Sequence, residues 1–180
     1  MNELLLRPAV AADLVVINDI YNHYVQTSTC TYQEDLESYD DRLAWFASHA
    51  PGHAVIVAEA DGRVVGWGSI SPFRERSGYR FTVEDSVYVH HHHHGRGIGS
   101  HLLARLIELA RQGGYRSIMA GIDAEQQPSI ALHRKFGFTV CADLKQVGFK
   151  FGRWLDVVYM QLMLDGAITS AQTCTMPQSS

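Results

Sequence analysis

The residues with the clearest chemical potential form a glycine-rich turn, His94-Gly95-Arg96-Gly97-Ile98-Gly99, between a predicted strand and a predicted helix. The first main-chain amides of a helix have no partners within the helix, and the helix dipole adds partial positive charge there. Glycines remove the Cβ atoms that would keep an anion away from the backbone, and Arg96 can add a charge-assisted contact. The turn predicts a phosphate site. The alternative is a glycine-rich connection without a ligand.

The spacing of this turn argues against two common nucleotide sites. It lacks the lysine and the serine or threonine that end a nucleotide P-loop. A dinucleotide-binding fold needs G-x-G-x-x-G and an acidic residue about twenty positions on. This turn has G-x-G-x-G instead, and Met119 stands at the later position. Both nucleotide interpretations are therefore weakened.

A carboxylate lies on the strand that enters the turn. Strand alternation places Glu84 on the same face as Ser86 and Tyr88, opposite Val83 and Val87. Partial burial would raise the pKa of this carboxyl toward the working pH and make Glu84 a candidate general base. The alternative is a surface carboxylate, since most acidic residues are exposed.

Periodicity and turn signals predict the elements that position these groups. Apolar residues at helical spacing indicate a helix over 11–26. Ser38 can cap a second helix, whose apolar face would carry Leu43, Phe46 and Ala47. Asp-Gly at 61–62 between two apolar runs indicates a hairpin. The other predictions are strands at 4–6, 54–60, 63–71, 80–89, 116–123, 138–144 and 155–164, and helices at 97–112 and from Pro128 to near Gly137.

The order β-α-α-β-β-β-α-β-α-β-β predicts an α/β (α+β) fold with a mixed sheet and helices on both faces. A length of 180 residues suits one domain, which we assign to residues 1–165. Residues 166–180 are mostly small and polar, which predicts a flexible C-terminal tail.

Composition limits the classes of partner. The net charge of −4 gives no basic footprint for nucleic acid. No apolar run reaches the roughly 18 residues that would span a bilayer, and the N-terminus does not resemble a signal peptide. Cys30, Cys141 and Cys174 suggest neither a disulfide framework nor a zinc site. These features favour a cytoplasmic protein without a nucleic-acid or membrane partner.

Five segments carry a family signature: LRPA near the start, Ile20-Tyr21-Asn22, TVEDSVYVH at 82–90, SIALHRKFGF at 129–138 and QVGFKFGRWLDVVYMQL at 146–162. In this order they resemble the GNAT superfamily of N-acetyltransferases, and more closely its phosphinothricin and methionine sulfoximine acetyltransferase branch. The resemblance covers about residues 6–164. It implies the GNAT fold, a mostly antiparallel seven-stranded sheet. It also implies an enzyme with acetyl-CoA as co-substrate that acetylates an amine by direct attack in a ternary complex.

The resemblance also implies roles for particular residues. Glu84 is the general base, and His133 lies near the thioester sulfur as a proton donor or relay. From the residues alone, His133 could equally be a helix histidine that packs or caps. The implied acetyl-CoA contacts are Val87, Tyr88 and Val89 beside the pantetheine arm, His94, Gly95, Arg96, Gly97, Ile98, Gly99 and Ser100 around the pyrophosphate, and Gln126 and Ser129 farther along the arm. The superfamily's two strands splay beside the arm, and the Val89 amide would polarise the thioester carbonyl.

The chain departs from the family pattern next to the turn. His94 replaces a Gln or Arg, and Gln126 replaces a common Asn. His90 to His94 form a run of histidines inside the chain, where an expression tag is not expected. Five adjacent side chains cannot converge on one ion, so we expect no functional metal site. The run is interpreted as a solvated loop whose positive charge grows as the pH falls toward about 6.5.

The loop PFRERSGYR at 72–80 precedes the strand of Glu84. Arg74, Arg76 and Arg80 lie within seven positions of one another, and an arginine can bind a carboxylate at two points. Phe73 and Tyr79 could form the wall of a pocket for an apolar side chain. This predicts a small α-amino acid or an analogue such as phosphinothricin, methionine sulfoximine or methionine sulfone, and hence a role in antibiotic or herbicide resistance. The alternative is a basic solvated loop. A polyamine would require an acidic pocket.

Two other functions stay open. One is acetylation of a protein N-terminus or another small amine. The other is a non-catalytic acyl-CoA sensor, although a sensor would not need Glu84 and His133. Relatives in the branch are commonly homodimers, and the aromatic segment around Trp154 is a candidate interface.

Overall fold

A computed structural model describes residues 4–49 and 52–164. The predicted tail at 166–180 lies outside the described residues, as does the end of the predicted domain at 165. The elements in chain order are β1 (Leu5–Pro8), α1 (Leu14–Thr27), α2 (Tyr39–Ala47), β2 (Val55–Ala60), β3 (Arg63–Pro72), β4 (Thr82–Val89), α3 (Ile98–Gln112), β5 (Ser117–Asp123), α4 (Gln127–Lys135), β6 (Thr139–Lys150) and β7 (Arg153–Met163). Short 3-10 turns cover Ala11–Asp13, Ser77–Tyr79 and His91–His93.

The strands form one seven-stranded sheet in the order β1-β2-β3-β4-β5-β7-β6. In the part of the chain that the structure describes, only β4 and β5 pair in parallel, and every other neighbouring pair is antiparallel. The predicted mixed, mostly antiparallel sheet is therefore confirmed. Asp61 and Gly62 both have positive φ, at 52° and 71°, as the predicted two-residue hairpin turn requires.

Helices cover both faces of this sheet, as the sequence predicts. The buried stripe of α3 includes Leu102, Leu103 and Leu106, which pack with the strands and with α4 in one core cluster. On the other face, Leu14 and Ile17 of α1 belong to a second cluster, together with side chains of β2, β3 and α2. The 3.6-residue period of the apolar positions accounts for both contacts.

The prediction for α2 is right about its start and about Phe46, which packs against the second cluster, and wrong about Leu43 and Ala47, which are exposed. The Ser38 hydroxyl accepts a hydrogen bond from the Asp41 amide at 3.1 Å, which caps the helix. Leu43, however, is 41% exposed. The buried position belongs to Arg42, whose guanidinium lies 4.5 Å from the centroid of the Tyr21 ring and 4.6 Å from that of Trp45. Arginine can replace an apolar side chain here because its flat cation stacks on aromatic rings.

No helix of the described chain has the length and apolar character needed to cross a membrane.

Candidate active site

A cleft opens in the sheet where β4 and β5 separate. The two strands pair only from Thr82 to Glu84 on β4 and from Ser117 to Met119 on β5. Beyond that point they enclose a space of about 80 Å³. Its lining residues are Cys30, Asp85, Ser86, Val87, Tyr88, Ala120, Gly121, Ile122, Asp123, Gln126, Ser129 and His133. A larger cavity of about 410 Å³ lies among β1, β2 and the later turns of α2 and α3, and none of the predicted site residues lines it.

The main chain of β4 offers free hydrogen-bonding groups to this cleft. The Phe73 amide donates to the Thr82 carbonyl and the His90 amide donates to the Val65 carbonyl, so even-numbered residues along β4 pair with β3. Because main-chain groups alternate in direction along a strand, those of Val87 point to the cleft side. The amide of Val89, two residues on, points the same way. An extended ligand there can hydrogen-bond like an added strand.

The glycine turn presents an uncapped helix N-terminus at the end of β4. Gly95 and Gly97 have φ of 74° and 79°, which only glycine adopts at little cost. Gly97 is the N-cap of α3 and supplies no capping side chain. The first amide with a helical partner is that of His101, which donates to the Gly97 carbonyl. The preceding amides, those of Ile98, Gly99 and Ser100, are thus available to an anion.

Arg96 and His94 of the glycine turn have different environments. The Arg96 side chain is exposed and free to approach a phosphate. His94 instead packs against α1, with its Nε2 2.6 Å from the Tyr24 hydroxyl and 3.2 Å from the Val89 carbonyl oxygen. The Tyr24 hydroxyl donates to the same carbonyl. Burial raises the pKa of Tyr24 to about 12, so this hydroxyl stays neutral and keeps its proton. Tyr24 was not anticipated, because its helical spacing indicated only a core position.

Glu84 lies on the face of β4 that alternation predicted. Its side chain leans over Gly121 of β5, where an added Cβ would come within 3.0 Å of Glu84 Oε1 and 3.2 Å of the Tyr159 ring. Burial raises the pKa of the Glu84 carboxyl, the charge of Asp85 raises it further, and Arg74 opposes both effects. Glu84 is therefore a half-buried carboxylate with increased basicity, as a general base requires.

His133 reaches the opposite face of β4 and forms a buried pair with Asp85. The distance from His133 Nε2 to Asp85 Oδ2 is 3.1 Å, and the two side chains are 5% and 1% exposed. Sequence reasoning missed Asp85. The available signal was its place one residue after Glu84, which sends its side chain to the face covered by α3 and α4.

The substrate residues predicted on the 72–80 loop separate into two groups. Phe73 and Tyr79 meet edge to face with ring centroids 5.9 Å apart, and the Arg74 guanidinium lies 4.4 Å from the Phe73 ring centroid. Arg74 is also close enough to Glu84 to affect its pKa. Arg80 lies outside this group, with its guanidinium 4.4 Å from the Phe81 ring centroid.

Gln126 and Ser129 line the cleft through α4. The Gln126 amide nitrogen donates to the Ser28 hydroxyl at 3.3 Å and the Thr29 hydroxyl at 3.2 Å, which ties α4 to the segment after α1. Lys150 holds the same segment from β6. Its buried ammonium donates to the main-chain carbonyls of Ser28 at 2.8 Å and Thr31 at 2.7 Å. These bonds fix the part of the cleft wall that carries Cys30.

The histidine run forms a short turn beside α1. The His91 ring stacks on His23 with a centroid distance of 3.9 Å and on His90 at 4.5 Å. Burial and the neighbouring histidines lower the pKa of His90. Across residues 4–49 and 52–164, no group of three or more His, Cys, Asp and Glu side chains has the arrangement of a metal site.

Comparisons with known proteins point to one family. The model of the acetyltransferase (GNAT) family matches residues 17–138. An L-methionine sulfoximine/L-methionine sulfone acetyltransferase of Salmonella typhimurium is 45% identical over 161 residues, which cover 89% of this chain and 94% of the relative. A phosphinothricin N-acetyltransferase of Streptomyces viridochromogenes is 36% identical over 166 residues, which cover 87% of this chain and 85% of the relative.

A solved structure extends this similarity to the fold. It is a putative acetyltransferase from Salmonella typhimurium with its cofactor acetyl-CoA, and it superposes with a TM-score of 0.90 at 43% identity. The alignment covers 96% of this chain and all (100%) of that chain. The family resemblance of the five sequence segments is thereby confirmed, and the chain belongs to the GNAT acetyltransferase family.

Proposed function

We propose that this protein transfers acetyl from acetyl-CoA to the α-amino group of a small amino acid analogue such as methionine sulfoximine, methionine sulfone or phosphinothricin. The observation that carries the proposal is the arrangement along β4. The strand bears the half-buried carboxylate of Glu84, then the cleft-facing main chain of Val87 and the amide of Val89, and the uncapped N-terminus of α3 follows its end. The curated relatives named for these substrates support the choice.

The residues present fit acetyl-CoA. The amides of 98–100 and the Arg96 side chain suit its phosphates, and the open edge of β4 suits its extended arm. The unpaired buried Oδ1 of Asp85 adds an acceptor inside the same cleft. When bound, acetyl-CoA supplies the activated acetyl group of a thioester.

The protein's own groups perform the acid–base work. Glu84 removes a proton from the substrate ammonium, because only a neutral amine has the lone pair that attacks. The N–C bond forms, the C–S bond of the thioester breaks, and the second proton of the nitrogen is released to solvent. The Val89 amide, directed into the cleft, stabilises the negative charge that develops on the carbonyl oxygen. His133, paired with Asp85 on the other side of β4, is the proton source for the leaving sulfur, and its proton passes through the Asp85 carboxylate, which lines the cleft. Base and acid on opposite faces of one strand keep the two proton transfers apart.

The loop before β4 selects the substrate. The charge of Arg74 reaches Glu84 and lowers its pKa, so Arg74 can hold the α-carboxylate on the side of the base. Phe73 and Tyr79 form the adjoining aromatic wall. Arg80, which stacks on Phe81, contributes positive charge at a greater distance.

The function is tested by thiol release from acetyl-CoA in the presence of candidate amines. We expect turnover with methionine sulfoximine and phosphinothricin, and little with a polyamine or with a peptide that has a free N-terminus. Preference for the peptide would favour protein N-terminal acetylation. Binding of acetyl-CoA without thiol release for any amine would favour a sensor.

Replacing Gly97 by Ala is expected to raise the KM for acetyl-CoA several-fold, because the added Cβ would keep a phosphate away from the helix amides. It should also lower the free energy of unfolding by about 1–2 kcal/mol, because an L-residue is strained at positive φ. Gly62→Ala is the matched control. Both glycines have positive φ, at 79° and 71°, and an added Cβ meets nothing within 4 Å at either position. Thermal unfolding and steady-state kinetics check the pair. Equal KM values in the two variants would contradict the phosphate site.

We propose further that the protein is a homodimer formed through the outer face of β6 and β7. This face exposes large apolar side chains, with Val147 at 55%, Phe149 at 47%, Phe151 at 53% and Trp154 at 62% exposure. Apolar patches of this kind mark protein interfaces.

Trp154→Asp is expected to convert a dimer into a monomer, because it places a charge in the middle of this apolar face. Sedimentation velocity measures the change. Leu36→Asp, at a residue that is 53% exposed in the segment before α2, should leave the dimer intact. A monomeric wild-type protein would rule out the interface.

We also propose that residues 1–165 act as one domain in the cytoplasm and that the activity confers resistance to phosphinothricin. The family match within that domain and the substrates named for the relatives support this. Growth of expressing cells on phosphinothricin, compared with cells expressing Glu84→Gln, tests the resistance.

A further inference from the structure

The cleft contains a buried carboxylate oxygen whose hydrogen-bonding capacity is unused. Asp85 projects from β4 toward α4, and its Oδ2 lies 3.1 Å from His133 Nε2. Its Oδ1 is buried and has no hydrogen-bond partner within the described part of the chain. An acceptor on a buried carboxylate is unfavourable when it is left unpaired. Because Asp85 also lines the cleft, a donor carried by a ligand is the natural partner.

The surroundings of His133 decide how many protons its ring carries. Nδ1 lies 2.8 Å from the Ser129 carbonyl oxygen, and Nε2 faces the Asp85 carboxylate. Both partners are acceptors, whereas a neutral imidazole has only one N–H to donate. Burial lowers the pKa of His133, but the hydrogen bond and charge of Asp85, with the Ser129 carbonyl, raise it by more. The doubly protonated ring is therefore favoured.

Within the described residues, no competing charge on the neighbouring elements alters the pKa of His133. Asp85 of β4 is the one ionisable side chain that contributes to the pKa of His133 among the described residues. From α4 itself, the Ser129 hydroxyl lies 3.5 Å from Nδ1, and the Phe138 ring packs edge-on at a centroid distance of 5.0 Å. Glu84 lies on the other face of β4, next to Gly121 and Tyr159.

We propose that Asp85 is a positioning residue that holds the His133 ring doubly protonated through Oδ2 and accepts, through Oδ1, a hydrogen bond from a neutral N–H or S–H donor of the coenzyme A arm. The inference rests on the proposed function, because it requires that arm to lie in the cleft that Asp85 lines. In this proposal the Asp85 carboxylate has two roles: it keeps His133 protonated, and it binds the coenzyme A arm.

The first test measures binding without turnover. Asp85→Asn keeps the shape of the side chain but replaces the charged acceptor by a neutral amide oxygen. Because a hydrogen bond to a charged acceptor is stronger than one to a neutral acceptor, we expect coenzyme A to bind about tenfold more weakly by isothermal titration calorimetry. Asp143→Asn, at a carboxylate that is 50% exposed on β6, is the matched control and should bind like the wild type. A loss seen equally with desulfo-coenzyme A identifies an amide N–H as the donor, and a loss confined to coenzyme A identifies the thiol. Equal affinities of wild type and Asp85→Asn for coenzyme A overturn the proposal.

The second test follows the His133 ring by NMR titration without ligand. In the wild type the ring should stay doubly protonated at pH values above about 6.5, the ordinary titration midpoint of histidine. In Asp85→Asn the midpoint should fall below that value, because burial persists while the counter-charge is gone. A wild-type midpoint at or below about 6.5 overturns the proposal even if the variant does not fold. If the wild type binds no coenzyme A, the proposed function fails too. If it binds and only the Asp85 effects are missing, this inference fails alone.

Discussion

Glu84→Gln is expected to lower kcat by about 10²–10⁴-fold, the usual contribution of a general base. The amide has nearly the shape of the carboxylate but cannot take a proton from the substrate ammonium. Since the Glu84 side chain leans over Gly121 rather than toward the glycine turn, the KM for acetyl-CoA should change little. Steady-state thiol release over a range of both substrates measures the two parameters.

The pH profile of the wild type provides the control for this interpretation. Only the deprotonated carboxyl is a base, and burial and Asp85 raise its pKa. The rate should therefore decrease at acidic pH, and the midpoint of this decrease should lie above about 4.3, the pKa typical of an exposed Glu. In Glu84→Gln this acid limb should disappear. A variant with a near wild-type rate, or one that retains the limb, would exclude Glu84 as the base.

Arg74→Ala is expected to raise the KM for the amino acid substrate about 10- to 100-fold, because a charge-assisted hydrogen bond to a carboxylate contributes about 1.5–3 kcal/mol. The KM for acetyl-CoA should stay close to that of the wild type. The variant also removes a positive charge that lowers the pKa of Glu84, so the acid limb should move to higher pH.

Arg76→Ala is the matched control for the carboxylate contact. Arg76 is an exposed arginine of the same loop, two residues from Arg74. Its loss removes the same formal charge from the loop, so a general electrostatic effect would appear in both variants. An unchanged substrate KM in Arg74→Ala, or an equal increase in both variants, would contradict a specific clamp.

Much of the fold follows from local signals. The Asp61-Gly62 turn, the Ser38 cap and the apolar stripe of α3 each appear where sequence rules place them. The edge hairpin of β6 and β7 was harder to predict. β6 runs to Lys150 and turns through Phe151 and Gly152, which have φ of 51° and 74°. Phenylalanine rarely takes such a conformation, so the turn gives no sequence signal.

The candidate site shows the same limit. The alternation of side chains along β4 is enough to predict the face on which Glu84 lies, and the glycine turn predicts the N-terminus of α3. The pairing of Asp85 with His133 spans 48 positions in sequence and depends on how α4 lies across the sheet. The contacts of Tyr24 with His94 and Val89 depend equally on tertiary packing. Spacing rules describe single elements, and these pairs form between elements.

Lys150 gives the interior of the protein a direct connection to the outer edge of the sheet. Its ammonium binds two carbonyls of the segment after α1, while its neighbours Phe149 and Phe151 are exposed on the edge hairpin. A displacement of the hairpin by a docked subunit would move the Ser28 to Thr31 segment through the Lys150 side chain. Subunit association and coenzyme affinity would then be thermodynamically linked, each strengthening or weakening the other by the same factor.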